Sequence, residues 1–551
     1  MKKIGLVRAA LLFLAVVIIF LMFWFLLPPL NPVSPEFWFF ALISAAALWA
    51  AWWIPGNIGD ILNSSGKAKL VRVKVVSGKY VNIAGNQKKM PKAVAITAVC
   101  LVLLVAVLLA TGLPMFNASR YRDLLIRREG NFTDDIAEIS MNQIPVVDHD
   151  TAIQLGKRKL GEIAELVSQF EISEDYTQIN LNGRPVRVTP LVYADFFKWL
   201  NNHKKGIAGY IKVDMVSQET ALVKLENGIK YSPSDLFLRN LSRHLRFSYP
   251  TKMFDNYAFE VDENGTPYWI APTYNYTIGV WGGRDINGAV LVNAIDGSHK
   301  WYPLEDIPQW VDRVFSADLV LRHLNYNGRF QDGYLNSIIG QKGVLQTTAG
   351  YNYLAINDDV YLYTGMTSVT GDESNVGFVL VNLRTKQTRF YSVPGAEEMS
   401  AMSSAEGQVQ HLGYIATFPI LLNVADRPTY FLSLKDDAGL VKMYAFVDVE
   451  RYQIVGTGQS VADARNNYVK ALSKEQGVGA GTGTEISGEV ADIATAVMDG
   501  NTYYYIRLKE NDAVFVASIH ISNRLPFIKV GDAITFIYSG SGETREVLSM
   551  K

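Results

Sequence analysis

Asp148-His149-Asp150 sets two carboxylates beside an imidazole, residue types that bind zinc or move protons. Three consecutive side chains diverge rather than converge on one ion, and an aspartate here also suits the N-cap of the amphipathic run that follows. Ser403, Ser404 and His411 pair hydroxyls with a base along one expected helix. No Gly-x-Ser-x-Gly elbow presents either serine as a nucleophile. Asp372-Glu373-Ser374-Asn375 offers oxygens that calcium favours, but without EF-hand spacing it reads as a polar hairpin turn. With no phosphate loop or dinucleotide fingerprint after a strand, the sequence names no catalytic residue, no metal and no cofactor. Tyr268, Trp269, Trp281, Trp301 and Tyr302 are the remaining residues with binding capacity. Exposed together they would dominate contact with a partner; buried, they would fill the cores of their strands.

A membrane-anchored framework must carry these residues. Apolar runs at 9–27, 37–54 and 93–113 have the length of helices that cross a hydrocarbon core. Lys2, Lys3 and Arg8 precede the first run, residues 31–36 hold no Lys or Arg, and residues 55–92 hold eight basic side chains against Asp60 alone. Positive charge marks the cytoplasmic side, so the amino terminus and the 55–92 loop are expected inside the plasma membrane and residues 117–551 outside. Arg120, Arg122, Arg127 and Arg128 oppose this orientation but are outnumbered. A cleaved signal peptide is the competing reading of the first run; its length and Pro28-Pro29 favour a retained span. Trp24, Trp38, Trp49, Trp52 and Trp53 gather at the spans as an aromatic belt. The span interiors carry no ionisable group, which argues against an ion or substrate path. Within the loop, Val71, Val73 and Val75 alternate with Arg72 and Lys74 ahead of Ser77-Gly78, and Tyr80, Val81 and Ile83 follow. That is the pattern of a β-hairpin, whose lysines lie against lipid headgroups or serve topology alone.

Residues 1–116 hold eleven basic and two acidic side chains, leaving the rest with a formal charge of about −10, which excludes nucleic acid as its partner. The single cysteine, Cys100, lies in the third run. The outer part therefore folds without a disulfide, a composition common in Gram-positive bacterial envelopes.

A turn leading through proline into an apolar or aromatic strand recurs as Asn182-Gly183-Arg184-Pro185-Val186, Asn264-Gly265-Thr266-Pro267-Tyr268-Trp269 and Ala425-Asp426-Arg427-Pro428-Thr429-Tyr430-Phe431. The proline spacings of 82 and 161 residues predict a fourth copy midway, at Thr348-Ala349-Gly350-Tyr351-Asn352-Tyr353-Leu354-Ala355. Val290-Leu291-Val292-Asn293 with Lys300-Trp301-Tyr302 is matched 89 residues on by Val379-Leu380-Val381-Asn382 with Arg389-Phe390-Tyr391. Helices are expected ahead of the strands at 151–170, 234–245, 307–324 and 396–412, the first capped by Asp148 or Asp150. Asp296-Gly297 marks a hairpin turn. Each unit is then one helix on a small antiparallel sheet, an α+β architecture. A helix followed by strands that end in a hairpin, as over 268–302 and 430–455, resembles the PepSY family of exported bacterial modules. The whole chain resembles multi-pass membrane proteins of Gram-positive bacteria with a large outer domain. The PepSY resemblance covers residues 150–470 and implies modules that bind or restrain other proteins, in some cases peptidases, outside the membrane. Several aromatic-heavy units depart from a single PepSY copy, which puts an inhibitor role in doubt.

Residues 476–484 read as a glycine-rich linker, and 485–551 as short strands over 486–493, 502–508, 513–519 and 533–538. Leu525-Pro526-Phe527 and Lys529-Val530-Gly531-Asp532 resemble the turn into the last strand of oligonucleotide/oligosaccharide-binding or SH3-like barrels. A small five-stranded β-barrel is expected, with Tyr503-Tyr504-Tyr505 alternating between core and surface or forming a carbohydrate or peptide platform. The order is a membrane domain at 1–116, a connector at 117–149, a repeated α+β domain at 150–475, the linker and the barrel. The leading expectation is a non-catalytic membrane-anchored protein that binds an envelope protein or cell-wall polymer, with membrane lipid as its other partner. One alternative is a membrane-tethered peptidase or peptidoglycan hydrolase, which requires two carboxylates, or a Ser and a His, to meet in a cleft. The other is a spacer that holds the barrel off the membrane.

Overall fold

The structure is a computed structural model that describes residues 2–64, 70–74, 80–84, 100, 103–136, 143–356, 358–369, 374–475, 484–498, 501–540 and 542–551. Leu6–Leu26, Pro35–Trp53 and Leu103–Arg122 are helical segments long and apolar enough to cross a membrane. Only 6%, 6% and 0% of each is buried within the protein, so their Leu, Ile and Phe side chains have the exposure that hydrocarbon tolerates and water does not. Part of the third apolar run, 93–99 with 101 and 102, lies outside the described residues. Leu70–Lys74 pairs antiparallel with Tyr80–Ala84, the expected loop hairpin; its Ser77-Gly78 turn lies outside the described residues.

The chain forms two compact units, Met1–Leu125 with Val192–Gly209 and Leu225–Lys342, and Ile126–Leu191 with Tyr210–Lys224 and Gly343–Lys551. The stretch 150–475 contributes to both. In the first unit Ala258–Val261, Pro267–Ile278, Gly282–Asn293 and His299–Pro303 pair antiparallel in sequence order. Met253–Phe254 takes the rest of the outer edge of Pro267–Ile278, beside a bulge at Thr273/Tyr274. Asp296-Gly297 turns the last hairpin as expected, with Gly297 at φ +77, where a side chain would be strained.

Two helices of this unit are shorter than their hydrophobic pattern. Over 307–324 the helix starts only at Ala317, because Pro308 interrupts and the Asp312 and Arg313 amides donate to the buried Glu260 carboxyl instead of to a helical turn. Over 234–245 the Ser232 hydroxyl and Asp235 carboxyl take the amides of Asp235 and Leu236, leaving one 3-10 turn, Phe237–Arg239, before helix Leu241–Ser248.

In the second unit Asp148 caps helix His149–Gly161, accepting from Thr151 N at 2.9 Å. The helix stops at Gly161 and resumes as one turn, Ala164–Val167, rather than running to 170. The helix expected at 396–412 spans Glu398–Gln408 with a 3-10 turn beyond it. Two sheets have the strand order of the first unit's sheet: Asn352–Ile356, Asp359–Ser368, Ser374–Asn382, Thr388–Tyr391; and Ile420–Val424, Arg427–Lys435, Val441–Asp448, Val455–Gly458. Thr177–Leu181, Arg184–Tyr193 and the 210–214 segment pair in the same sequence. The turn into each long strand holds left-handed residues, Asn182, Asp358, Ala425 and Asp426 among them. Asn352–Ile356 is thus the strand before such a turn, so the segment expected to copy Pro267–Ala271 sits one strand early. By contrast, the 89-residue match falls in register. Val290 faces Trp301 as Val379 faces Phe390, and Leu291 faces Lys300 as Leu380 faces Arg389.

Thr484–Met498, Asn501–Leu508, Asn511–Ser518, Thr544–Met550 and Ala533–Ser539 close a barrel in that spatial order. The third sequential strand runs parallel to the fifth, Thr544–Met550, which the sequence reading leaves unassigned. Its core includes Val490, Ile506, Phe515 and Phe536, and Tyr504 points into it between half-buried Tyr503 and Tyr505. Residues 476–483 of the expected linker lie outside the described residues.

Candidate functional site

In the first unit a cavity of ≈ 290 Å³ lies between the sheet and helix Ala317–Arg329. Its floor comes from two strands joined at the bulge. Arg284, from Gly282–Asn293, lays its guanidinium 3.9 Å over the ring of Tyr274 from Pro267–Ile278. Its Nη2 lies 2.7 Å from Asp255 Oδ1, and its Nε is buried with no hydrogen-bond partner among the described residues. Asp255 is pinned by its own amide, which donates to Pro272 O at 2.8 Å, and its carboxyl also accepts from Asn256 N at 2.7 Å and Ser316 Oγ at 3.4 Å. The helix supplies Asp318, Leu319 and Arg322. Buried His323 of the same helix donates Nε2–H to Arg284 O at 2.9 Å, joining helix to strand behind the site.

Two carboxylates, Asp255 and Asp318, and two guanidiniums, Arg284 and Arg322, therefore share one small cavity with the hydroxyls of Ser316 and Tyr274 and the amide of Asn256. Asp318 and Arg322 are exposed and one helical turn apart, where opposite charges support each other. Burial pushes the Tyr274 phenol up, so it stays an O–H donor near neutral pH. The arrangement suits a small polar molecule that carries donors and acceptors or separated charges. The volume falls just below that of typical small-molecule pockets, which begin at roughly 300 Å³, so the ligand is small.

The aromatic candidates divide between the two faces of the sheet and one turn. Trp269 is 7% exposed, packs on Phe259 with ring centroids 5.2 Å apart, and donates Nε1–H to Tyr231 O at 2.9 Å. Trp301 shares that face by strand alternation, donates to Thr273 Oγ1 at 3.1 Å, and carries Lys252 Nζ 3.8 Å above its ring. Tyr268 and Tyr302 take the other face, Tyr268 lying 5.0 Å from Trp310 and Tyr302 beneath Lys300. Trp281 occupies the turn before Gly282, half-buried, its Nε1 buried without a partner among the described residues. None of the five is fully exposed.

In the second unit Asp148 is committed to its cap and to Lys435 Nζ at 2.6 Å. Burial alone would raise its pKa, but the bonds from Lys435 and Thr151 outweigh burial and hold it below the usual carboxylate range. His149 is about half exposed and lies 3.6 Å from Asp150 Oδ1. Ser403 and His411 are exposed and Ser404 half-buried, on helix Glu398–Gln408 and the turn after it. Asp372 and Glu373 lie outside the described residues, while Asn375 turns inwards to Tyr430 Oη at 3.2 Å and Glu398 Oε2 at 3.4 Å. Among the described residues no three of His, Cys, Asp or Glu are grouped to hold a metal ion. The cavity residues form no local motif. The one signal available in the sequence is the i, i+4 pair Asp318 and Arg322 at the start of an amphipathic run.

No protein-family model and no curated protein matches the chain. Among solved structures it is similar to a levansucrase point mutant from B. megaterium, at 10% identity over 76% of this chain and 97% of that one, with a TM-score of 0.17. It is also similar to a mutant Trypanosoma rangeli sialidase displaying trans-sialidase activity, at 10% identity over 63% of this chain and 53% of that one, with a TM-score of 0.15. Similarity at this level carries no argument about fold or chemistry.

Proposed function

We propose that the chain is a membrane-anchored binding or regulatory protein of the cell envelope, with residues 117–551 on the extracytoplasmic side and the cavity at Arg284 as its binding site. The observation that carries this reading is the cavity's charged lining. Two guanidiniums, Arg284 and Arg322, stand at one small cavity with two carboxylates, and a guanidinium favours a charge-assisted bond to an anionic acceptor. The ligand class is a small polar molecule with an anionic or strongly accepting group and a donor for Asp255 or Asp318. The basic 55–92 loop supports the orientation. The cysteine-free composition of the outer part supports a Gram-positive envelope. In this reading the sheets of common strand order are related modules of PepSY-like type, and the terminal barrel, with its first-second-third-fifth-fourth order, is of the oligonucleotide/oligosaccharide-binding kind.

The test is thermal unfolding of the full-length protein in nanodiscs with glutamate, an acidic dipeptide and a sugar phosphate as probes. One class is expected to raise the midpoint of the wild type and to lose that effect in Arg322→Gln, a change at an exposed side chain whose retained fold is checked by an unchanged far-ultraviolet spectrum. Equal stabilisation of wild type and variant, or none by any probe, overturns the assignment.

A further inference from the structure

We infer that an apolar foot of the first unit, carried by helix Phe196–Asn202 and the turn Phe237–Arg239, is immersed in the lipid bilayer beside the first span. Phe196, Phe197 and Leu200 are 55%, 69% and 50% exposed, and Phe237 and Leu238 are 61% and 58%. Isolated exposed apolar side chains need no explanation, but five on two adjoining elements mark a contact surface. The two elements are fixed to each other. Trp199 donates Nε1–H to buried Asp235 Oδ1 at 2.9 Å, its ring lies 5.6 Å from Phe196 and 5.9 Å from Phe237, and Arg239 donates to His203 O at 2.7 Å. Phe237 holds φ +52, a conformation rare for a bulky residue, and its ring is nevertheless left largely open.

What covers the foot follows from its place. Arg243 donates to Phe237 O at 2.6 Å and to Trp24 O at 3.4 Å, and lies 4.5 Å over the Trp24 ring. Phe247 packs on Phe23 and Trp24 with centroids 5.6 and 5.8 Å apart. Trp24 stands in the last turn of span Leu6–Leu26, where indole rings sit at the membrane interface. The foot is thus continuous with the membrane boundary through a single arginine. Its charge fits as well: over 195–205 and 236–243 the sequence carries Lys198, Lys204, Lys205, Arg239 and Arg243 against Asp195 alone. Such a surface places rings among acyl chains and cations among anionic headgroups. A second copy of the chain would have to oppose the same basic rim to itself. Leu335, Ile338 and Ile339, exposed beside the Tyr121, Phe330 and Tyr334 cluster at the end of the third span, repeat this relation there.

The experiment uses the full chain in nanodiscs of phosphatidylcholine with a minority of phosphatidylglycerol, with Cys100→Ala removing the natural thiol. A polarity-sensitive fluorophore is placed at Phe197→Cys, at Leu238→Cys and, as control, at Asn264→Cys. Asn264 is exposed in the turn between Ala258–Val261 and Pro267–Ile278 and belongs to neither element of the foot. Fluorophores at 197 and 238 are expected to be quenched by spin-labelled lipid chains and to show an iodide quenching constant about fivefold below that at 264. Equal iodide quenching at all three positions overturns the inference. So does protection of 197 and 238 from both quenchers, because that places protein rather than lipid over the foot.

Discussion

Glu260 gives the fold a pH dependence that can be isolated. The side chain is fully buried on strand Ala258–Val261, opposite Tyr268, and its carboxyl accepts from Asp312 N at 2.9 Å and Arg313 N at 2.8 Å. Burial pushes its pKa from 4.5 up to about 7, against the two amide bonds and the Arg313 charge, which lower it. Between those two values the unfolded chain is ionised there while the folded chain still holds the proton. The folded state binds more protons across this window, so stability is lost as pH rises from 4.5 to about 7 and regained on acidification. At roughly 1.4 kcal/mol per pH unit the full window amounts to about 3 kcal/mol. Glu260→Gln keeps an accepting oxygen and removes the titration. Unfolding of full-length wild type and variant in nanodiscs, followed by indole emission at about pH 5 and about pH 8, lets the other titrating groups cancel in the difference. Wild type is expected to lose about 3 kcal/mol relative to the variant over that interval. Parallel profiles for the two proteins would refute the reasoning, since they require the Glu260 carboxyl to carry the same charge folded and unfolded.

Three further perturbations test the packing. Arg427→Met takes the guanidinium from Asp448, whose side chain is fully buried and which meets Arg427 Nε at 2.9 Å, Arg451 N at 2.8 Å and Tyr468 Oη at 3.2 Å; the loss of the cation should cost about 3–5 kcal/mol in urea unfolding, with much of it recovered in Arg427→Met/Asp448→Leu. Tyr363→Phe deletes the hydroxyl that donates to buried Glu398 Oε1 at 2.9 Å and should cost about 1–3 kcal/mol by the same assay, with no change in the far-ultraviolet spectrum. At Gly282 a Cβ would lie 2.3 Å from Tyr121 Oη and 2.9 Å from Gly112 O, so Gly282→Val should destabilise the turn against the end of the third span by about 1–3 kcal/mol, read as faster amide exchange over 278–283; Gly407→Val, with open space around it, is the control.

The parts of the fold that were legible are those specified by local physics. Apolar runs of sufficient length give helices long enough to cross a membrane, and Asp296-Gly297 and Asn182-Gly183 give hairpins because few other residues accept their backbone. The proline register failed at the third sheet because a proline at the start of a long strand is tolerated there rather than required. A better marker was present in the Val-Asx pairs Val213-Asp214, Val292-Asn293, Val381-Asn382 and Val447-Asp448. At the first three, the Asx oxygen accepts amides two and three residues on, and a left-handed residue follows at Gln218, Gly297 and Lys386. That turn chemistry is required wherever the strand must reverse, so it keeps its register. The fifth barrel strand was missed because Thr544-Arg545-Glu546 opens it with polar residues. Of the cavity, only the i, i+4 spacing of Asp318 and Arg322 was legible. Its charged residues are separated by up to 67 positions, from Asp255 to Arg322, and only the sheet and one helix bring them together.

The route from spans to cavity is short and stiff, and this bears on regulation against passive spacing. Arg246, 7% exposed, gathers four backbone carbonyls, Leu27 O at 2.9 Å, Tyr249 O at 3.5 Å, Pro250 O at 3.2 Å and Lys252 O at 2.7 Å. With no carboxylate in that set, the guanidinium serves as a clamp between the end of the first span and the segment that follows helix Leu241–Ser248. That segment continues through Lys252, held over Trp301, into Met253–Phe254 and then Asp255, which pairs with Arg284 in the cavity. A spacer needs only length, whereas a clamped segment of ten residues joins the position of the span end to the geometry of Asp255. A ligand that competes for Arg284 changes what holds Asp255, and its binding energy can reach the membrane only to the extent that it differs between two positions of this segment.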